Sequence, residues 1–226
     1  MKALILGALD NSGNIGDVID DNLNARGWTT ATSDCEAADG SYAVPEPNHM
    51  ISFDSLVVTL GWATHSPFES VEAETVEAVI KASLTLPLLA IRSYVQGRAE
   101  LGGQVVVIGS YGHDHVLSNS APYCAAKAGL NHAIKALAWD LTPLFLFWCV
   151  NPYHVPATPL GEATVNWMIK ERGLTRAEAE DYQRKDLRMD THLEPEDIAE
   201  QVYHLLSEPT SAWLSGSSLD LYGGVR

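Results

Sequence analysis

Gln104-Val105-Val106-Val107-Ile108-Gly109-Ser110 is followed, thirteen residues after the serine, by Tyr123-Cys124-Ala125-Ala126-Lys127. The apolar run 104–108 reads as a strand buried on both faces, with Ser110 just past its end. Residues 125–138 continue from the tyrosine as a helix. A four-residue spacing sets Tyr123 and Lys127 on one face of that helix. A cation beside a phenol favours the phenolate and lowers the tyrosine pKa from about 10. Such a tyrosine exchanges a proton with a carbonyl oxygen near neutral pH, and Ser110 would hydrogen-bond the same oxygen. Alone, Tyr-x-x-x-Lys reads better as an ordinary helix-surface pair. It gains meaning if the chain also carries a cofactor site.

The N-terminus supplies a candidate. Residues 2–6 form a short apolar strand that ends at Gly7, and a loop holds Gly13 with Gly16 just beyond it. Residues 18–25 then read as a helix closed by Gly27. Strand, Gly-rich turn and helix make a phosphate cradle, because glycines admit a pyrophosphate close to the backbone and the helix N-terminus favours its charge. The candidate contacts are Gly7, Gly13, Asn14, Ile15 and Gly16. A Gly-rich turn by itself is also simply a turn. The second strand, 28–33, ends at Asp34. A carboxylate there accepts hydrogen bonds from ribose hydroxyls and repels a 2′-phosphate. No Lys or Arg lies between Ala3 and Ala25, and Glu36 adds negative charge, so NAD is favoured over NADP. The competing role for Asp34 is a loop cap.

Residues 35–54 are mostly polar, with Pro45 and Pro47, and 42–44 read as a very short third strand. The fourth strand is 55–60, and Gly61 opens the next loop. Ser66-Pro67-Phe68-Glu69 has the form of a capping box, predicting a long helix over 70–96 kinked at Pro87. A sixth apolar strand, 144–150, leads into Asn151-Pro152-Tyr153-His154-Val155-Pro156-Ala157-Thr158. Residues 159–192 are charged and helical, with Trp167 and Met168 as an apolar patch. They read either as a lid over a substrate or as a surface helical hairpin. An amphipathic helix over 196–206 and a last strand over 218–222 complete the chain. Strands alternating with helices predict one α/β domain, a doubly wound parallel sheet of about seven strands with helices on both faces.

A net charge of −15 disfavours nucleic acid and anionic membranes as partners, since phosphate binding relies on Lys and Arg. No run reads as a membrane span, and the N-terminus enters a strand rather than a signal peptide. Cys35, Cys124 and Cys149 are scattered, without metal or disulfide spacing, which points to a reduced, cytoplasmic setting. His113-Asp114-His115 has no further ligand clustered with it in sequence, so a polar loop on the substrate side is expected and no metal. Trp139, Phe145, Phe147 and Trp148 are expected in the core or in subunit contacts.

Together these residues resemble the short-chain dehydrogenase/reductase family over essentially the whole chain. The resemblance rests on the Gly-rich first turn, Asp34, Ser110, Tyr123 with Lys127, Pro152 ahead of Thr158, residues 195–199 and the final strand closing in Gly223-Gly224. It implies a Rossmann-type fold that moves hydride between a nicotinamide and a small carbonyl/alcohol pair. Tyr123 would be the general acid/base, Lys127 would hold the nicotinamide ribose, and Ser110 would orient the substrate oxygen. Gly61, Pro152, Val155 and Thr158 would join the cofactor contacts. The family's helical Asn falls at Ser83, its Asn-Ala-Gly at Thr59-Leu60-Gly61, and its Pro-Gly at Pro152-Tyr153. Six residues separate Gly7 from Asn14-Ile15-Gly16, where the family has three and a glycine in place of the asparagine. The resemblance also implies a homotetramer or homodimer built on the two long helices. Rival readings are a nucleotide-binding regulatory or scaffold protein with weak or no catalysis, and a lyase or epimerase on the same fold.

Overall fold

The computed structural model describes residues 1–7, 14–33, 35, 43–185 and 187–224. In chain order the elements are β1 (Lys2–Leu6), α1 (Ile15–Ala25), β2 (Thr29–Ser33), α2 (Pro47–Met50), β3 (Ser55–Val58) and α3 (Ala73–Ile80). A π-turn (Lys81–Thr85) joins α3 to α4 (Leu86–Gly97). Then come β4 (Gly103–Ile108), α5 (Ala121–Leu141), β5 (Phe145–Pro152), α6 (Pro159–Arg172), α7 (Arg176–Arg184), α8 (Pro195–Ser207) and β6 (Ser218–Leu221).

Among the described residues the strands form one parallel sheet of six in the order β2-β1-β3-β4-β5-β6. The expected seventh, at 42–44, is absent where it can be seen: Ala43 and Val44 are irregular, and Tyr42 lies outside the described residues. Among the described residues between β2 and β3 the helical structure is the single turn of α2.

Period-two alternation assigns the core. Leu4, Leu6, Leu56, Val58, Val105, Val107, Phe145 and Phe147 face Leu86, Ala90, Ile91, Tyr94, Leu130 and Ile134 of α4 and α5. Their neighbours Ala3, Ile5, Val57, Val106, Ile108, Trp148 and Val150 face Ile19 and Leu23 of α1 and Ile198, Val202 and Leu205 of α8. Burial on both faces is why these strands read as unbroken apolar runs. Trp139, expected in the core or in a subunit contact, is 89% exposed on this chain and so is not part of its core.

The long helix starts later than the sequence suggested. Residues 68–70 make a 3₁₀ turn without a side-chain cap, and the helix begins after Glu72. Pro87 cannot donate a backbone hydrogen bond, and its ring crowds the carbonyl four residues back. The helix absorbs this in the preceding turn, where Leu86 N–H reaches back five residues to the Lys81 carbonyl. By length and composition Ala73–Gly97 would also suffice to cross a bilayer, at a mean hydropathy of 1.4, contrary to the sequence expectation. In the fold its apolar side, including Val79, Leu86, Ile91 and Tyr94, is buried, as suits a core helix.

The chain passes from β2 at one edge to β3 on the other side of β1. That reversal opens a crevice beyond the carboxyl ends of β1 and β3, the position where open α/β sheets bind ligands.

Candidate active site

Ser110 follows β4 in extended backbone, and its hydroxyl accepts from Gly112 N–H at 3.1 Å. Tyr123 and Lys127 lie in α5, 7% and 3% exposed. Lys127 Nζ donates to the Ile108 carbonyl at 3.0 Å and to the Leu60 carbonyl at 3.4 Å, and lies 5.8 Å from the Tyr123 ring centre. The fold therefore brings the ends of β3 and β4 and one face of α5 together around three side chains far apart in sequence.

The electrostatics differ from the sequence expectation. Burial pushes the Tyr123 phenol above its usual 10, and the neighbouring Ser110 hydroxyl only partly pulls it back. Burial also pushes the Lys127 ammonium down to about 8. Lys127 is spent on main-chain carbonyls and is itself a weakened cation, so desolvation rather than ion pairing sets the phenol.

Ser83 sits fully buried in the π-turn. Its hydroxyl donates to the Trp62 carbonyl at 2.9 Å and accepts from Trp62 N–H at 3.0 Å, clamping the loop after Gly61. A Cβ at Gly61 would stand 3.1 Å from Lys127 Nζ and 3.7 Å from Ser83 Oγ. Ser83 thus borders the Lys127 site, as a backbone clamp.

Sequence reading missed Asn151. Its fully buried side-chain oxygen accepts from Ser110 N–H at 3.2 Å, Asn131 Nδ2 at 3.2 Å and Cys149 Sγ at 3.4 Å. Its Nδ2 donates to Ser218 Oγ at 2.7 Å and Asp220 Oδ1 at 2.9 Å. One amide thereby joins β4, α5, β5 and β6 behind the serine. The available signal was a lone amide ending the apolar run 145–150.

On the other side of the crevice, Gly7 has φ +98°, and a Cβ there would come within 2.6 Å of Thr59 Oγ1. Asn14, where the family has glycine, is the N-cap of α1 and accepts from Asp17 N–H at 3.0 Å, with Ile15 and buried Gly16 following. Gly13 and Asp34 lie outside the described residues. Pro152 ends β5, and Val155 belongs to the buried cluster that also holds Ile5, Ile19 and Ile108. Thr158 caps α6, its hydroxyl accepting from Gly161 N–H at 3.0 Å and donating to the Val155 carbonyl at 2.8 Å. These residues fit a dinucleotide: a side-chain-free edge at Gly7, a capped helix N-terminus, and an ammonium with a third proton beyond its two carbonyl acceptors.

The fold adds Asp220 to the His113-Asp114-His115 loop, a ligand that sequence spacing did not cluster there. His113 Nε2 lies 3.2 Å from Asp220 Oδ1 and 3.5 Å from Asp114 Oδ1. Both oxygens are already engaged, Asp220 by Asn151 and Ser218, and Asp114 by His115 and Tyr222. The cluster is a hydrogen-bonded knot, with His115 stacked on Tyr111, whose ring meets Tyr153 edge-on. Over the expected lid, α6 and α7 pack on each other through Val165, Met168 and Ala179.

Residues 47–226 match a family model described as enoyl-(acyl carrier protein) reductase. The chain belongs to the short-chain dehydrogenase/reductase family. Among its short-chain dehydrogenase relatives is a D-arabinitol 2-dehydrogenase (ribulose-forming) of Scheffersomyces stipitis, 22% identical over 88% of this chain and 70% of that protein. The fold is similar to sorbitol-6-phosphate 2-dehydrogenase from Erwinia amylovora, with a TM-score of 0.83, 16% identity, and 98% of each chain covered. It is also similar to an actinorhodin polyketide ketoreductase variant in complex with NADPH, with a TM-score of 0.84, 20% identity, and 98% and 95% of the chains covered.

Proposed function

We propose that this oxidoreductase transfers hydride between NAD and a small polyhydroxylated alcohol or its ketone. The observation that carries the reading is the buried Tyr123 phenol beside the Ser110 hydroxyl, with Lys127 one helical turn on. Bound nicotinamide supplies or accepts the hydride. Ser110 orients the substrate oxygen, and Tyr123 gives it a proton during reduction or removes one during oxidation. Lys127 holds the ribose, Ser83 fixes the loop that carries Gly61, and Asn151 fixes the backbone of Ser110. The polyol class is supported by the arabinitol dehydrogenase relative.

The NAD preference rests on Asp34 directly after β2 and on the lack of Lys or Arg between Ala3 and Ala25. The NADPH-bound ketoreductase argues for NADP, and the ratio of kcat/KM for NADH and NADPH decides between them. The scattered placing of the three cysteines in the sequence, without disulfide spacing, suits a reducing cytoplasm. A homo-oligomer through α4 and α5 is supported by an apolar cleft between them lined by Leu88, Val95, Ala133 and Leu137.

Tyr123→Phe is expected to abolish turnover while leaving cofactor titration intact; persisting turnover refutes the assignment. The scaffold reading draws on Ser83, whose hydroxyl is taken up by the Trp62 backbone. Tight NADH binding without turnover of any alcohol or ketone would favour it.

A further inference from the structure

Two polar side chains at α7 lack well-formed hydrogen bonds. Gln183 is 6% exposed, and neither its amide nitrogen nor its amide oxygen makes a well-formed hydrogen bond. His154, two residues past the end of β5, has a buried Nε2 in the same condition. A weak hydrogen bond with the Gln183 amide slightly offsets the effect of burial on that ring. Leaving a buried amide unpaired is costly, and native folds bury few such groups. Three poorly satisfied atoms on two neighbouring side chains therefore point to a ligand that completes them.

Their position relative to the reacting groups is defined by His65. Its Nδ1 is 2.9 Å from Ser120 Oγ and its Nε2 is 3.1 Å from Thr164 Oγ1, so it ties α6 to the start of the helix that carries Tyr123. The Trp167 ring lies 5.3 Å from the His65 ring. His154 feels the charges of both His65 and His192, which sets it among the loop after β3, the loop after β5 and the lid.

We propose that Gln183 and His154 form a subsite for the remote hydroxyl groups of a polyol, selecting it over a simple alcohol. The proposal rests on the dehydrogenase reading and names what the lid recognises. Burial pushes His154 down to about 3, so the ring is neutral and offers one N–H and one lone pair. The amide offers two N–H groups and a carbonyl oxygen. Neutral donors and acceptors side by side match hydroxyls, which are both. They do not match a phosphate or carboxylate, which would need a free cation. Of the nearby guanidiniums, Arg172 lies over Trp167 and Tyr182, and the charge of Arg184 is balanced by Asp181 although its Nε is itself buried without a partner.

The test compares Gln183→Met, which keeps volume and removes the amide, with His154→Phe and the unaltered enzyme. D-arabinitol and cyclohexanol serve as alternative substrates. Gln183→Met is expected to lower kcat/KM for D-arabinitol on the order of ten- to a hundred-fold, mostly through KM, as for one or two lost hydrogen bonds. Cyclohexanol kinetics should stay unchanged. The same variant should raise Tm by about 2–4 °C, because a poorly satisfied buried amide is gone. A purely structural Gln183 would give a lower Tm and equal losses on both substrates, and either result overturns the proposal. If the unaltered enzyme oxidises neither alcohol, the dehydrogenase reading fails separately. The subsite is then judged by saturation-transfer NMR with D-arabinitol: a signal lost in Gln183→Met sustains it, and no signal from the unaltered protein overturns it.

Discussion

Replacing Asn151 by alanine tests the idea that the serine is held from behind. Five hydrogen bonds disappear, from Ser110 N–H, Asn131 Nδ2 and Cys149 Sγ, and to Ser218 Oγ and Asp220 Oδ1. Most partners keep an alternative. Asn131 Nδ2 still meets Ser218 Oγ at 3.0 Å, and Ser218 Oγ still meets Asp220 at 3.1 Å. The Ser110 N–H loses its acceptor. An orphaned buried donor plus the weaker losses gives about 2–4 kcal/mol. For a chain of this size that is a Tm drop of about 4–16 °C. Gly109 sharpens the test, because a Cβ there would sit 1.9 Å from Asn151 Oδ1. Gly109→Ala alone therefore forces the amide out, whereas Gly109→Ala with Asn151→Ala places a methyl where the amide was and leaves only the closer approach to Cys149 Sγ, at 2.8 Å, to be relieved. Thermal unfolding and kcat of both single variants and the double variant form a cycle. The double variant should be better than the sum of the singles by more than ~0.5 kcal/mol, the usual limit of additivity. Additive penalties, or Asn151→Ala with unchanged Tm and kcat, would refute the reasoning.

Because burial raises Tyr123 above 10, the phenol is protonated near neutrality. Alcohol oxidation, which needs the base form, should rise with pH through the neutral and mildly alkaline range while ketone reduction does not; a flat oxidation profile of kcat would contradict this. Lys127 releases its proton near 8 when folded and near 10.5 when unfolded. Between those values the unfolded state binds more protons, so this group's contribution to stability rises with pH there. The Tm of the unaltered protein should gain on that of Lys127→Met from pH 8 to 10, and a gap that stays constant would disprove the depressed pKa. Leu137→Glu, in the cleft between α4 and α5, should shift the mass measured by light scattering to a single chain without lowering Tm by more than a few degrees; an unchanged oligomer would place the interface elsewhere.

Much of the frame is local and was therefore readable. Runs such as Val105-Val106-Val107-Ile108 can only be strands buried on both faces, and Tyr123 and Lys127 share a face by helical geometry alone. The 3₁₀ turn at Phe68 was misread because a serine, a proline and a glutamate in capping order say nothing of where the loop is pinned, here by Ser66 N–H on the Asn119 carbonyl. The acid Asp220 beside His113 could not be seen, since a hundred residues of sequence separate them and only sheet pairing closes the gap.

Sequence by itself determined the strand order's raw material, the residue types at the reacting centre and the helical spacing of two of them. Tertiary structure decided their state. It buried Lys127 against two carbonyls, raised the phenol, set Asn151 behind Ser110 and left Gln183 without a well-formed hydrogen bond. Periodicity fixes which way a side chain leaves its own element. Desolvation and hydrogen bonding depend on what other elements bring to meet it, and that is a property of the packed fold.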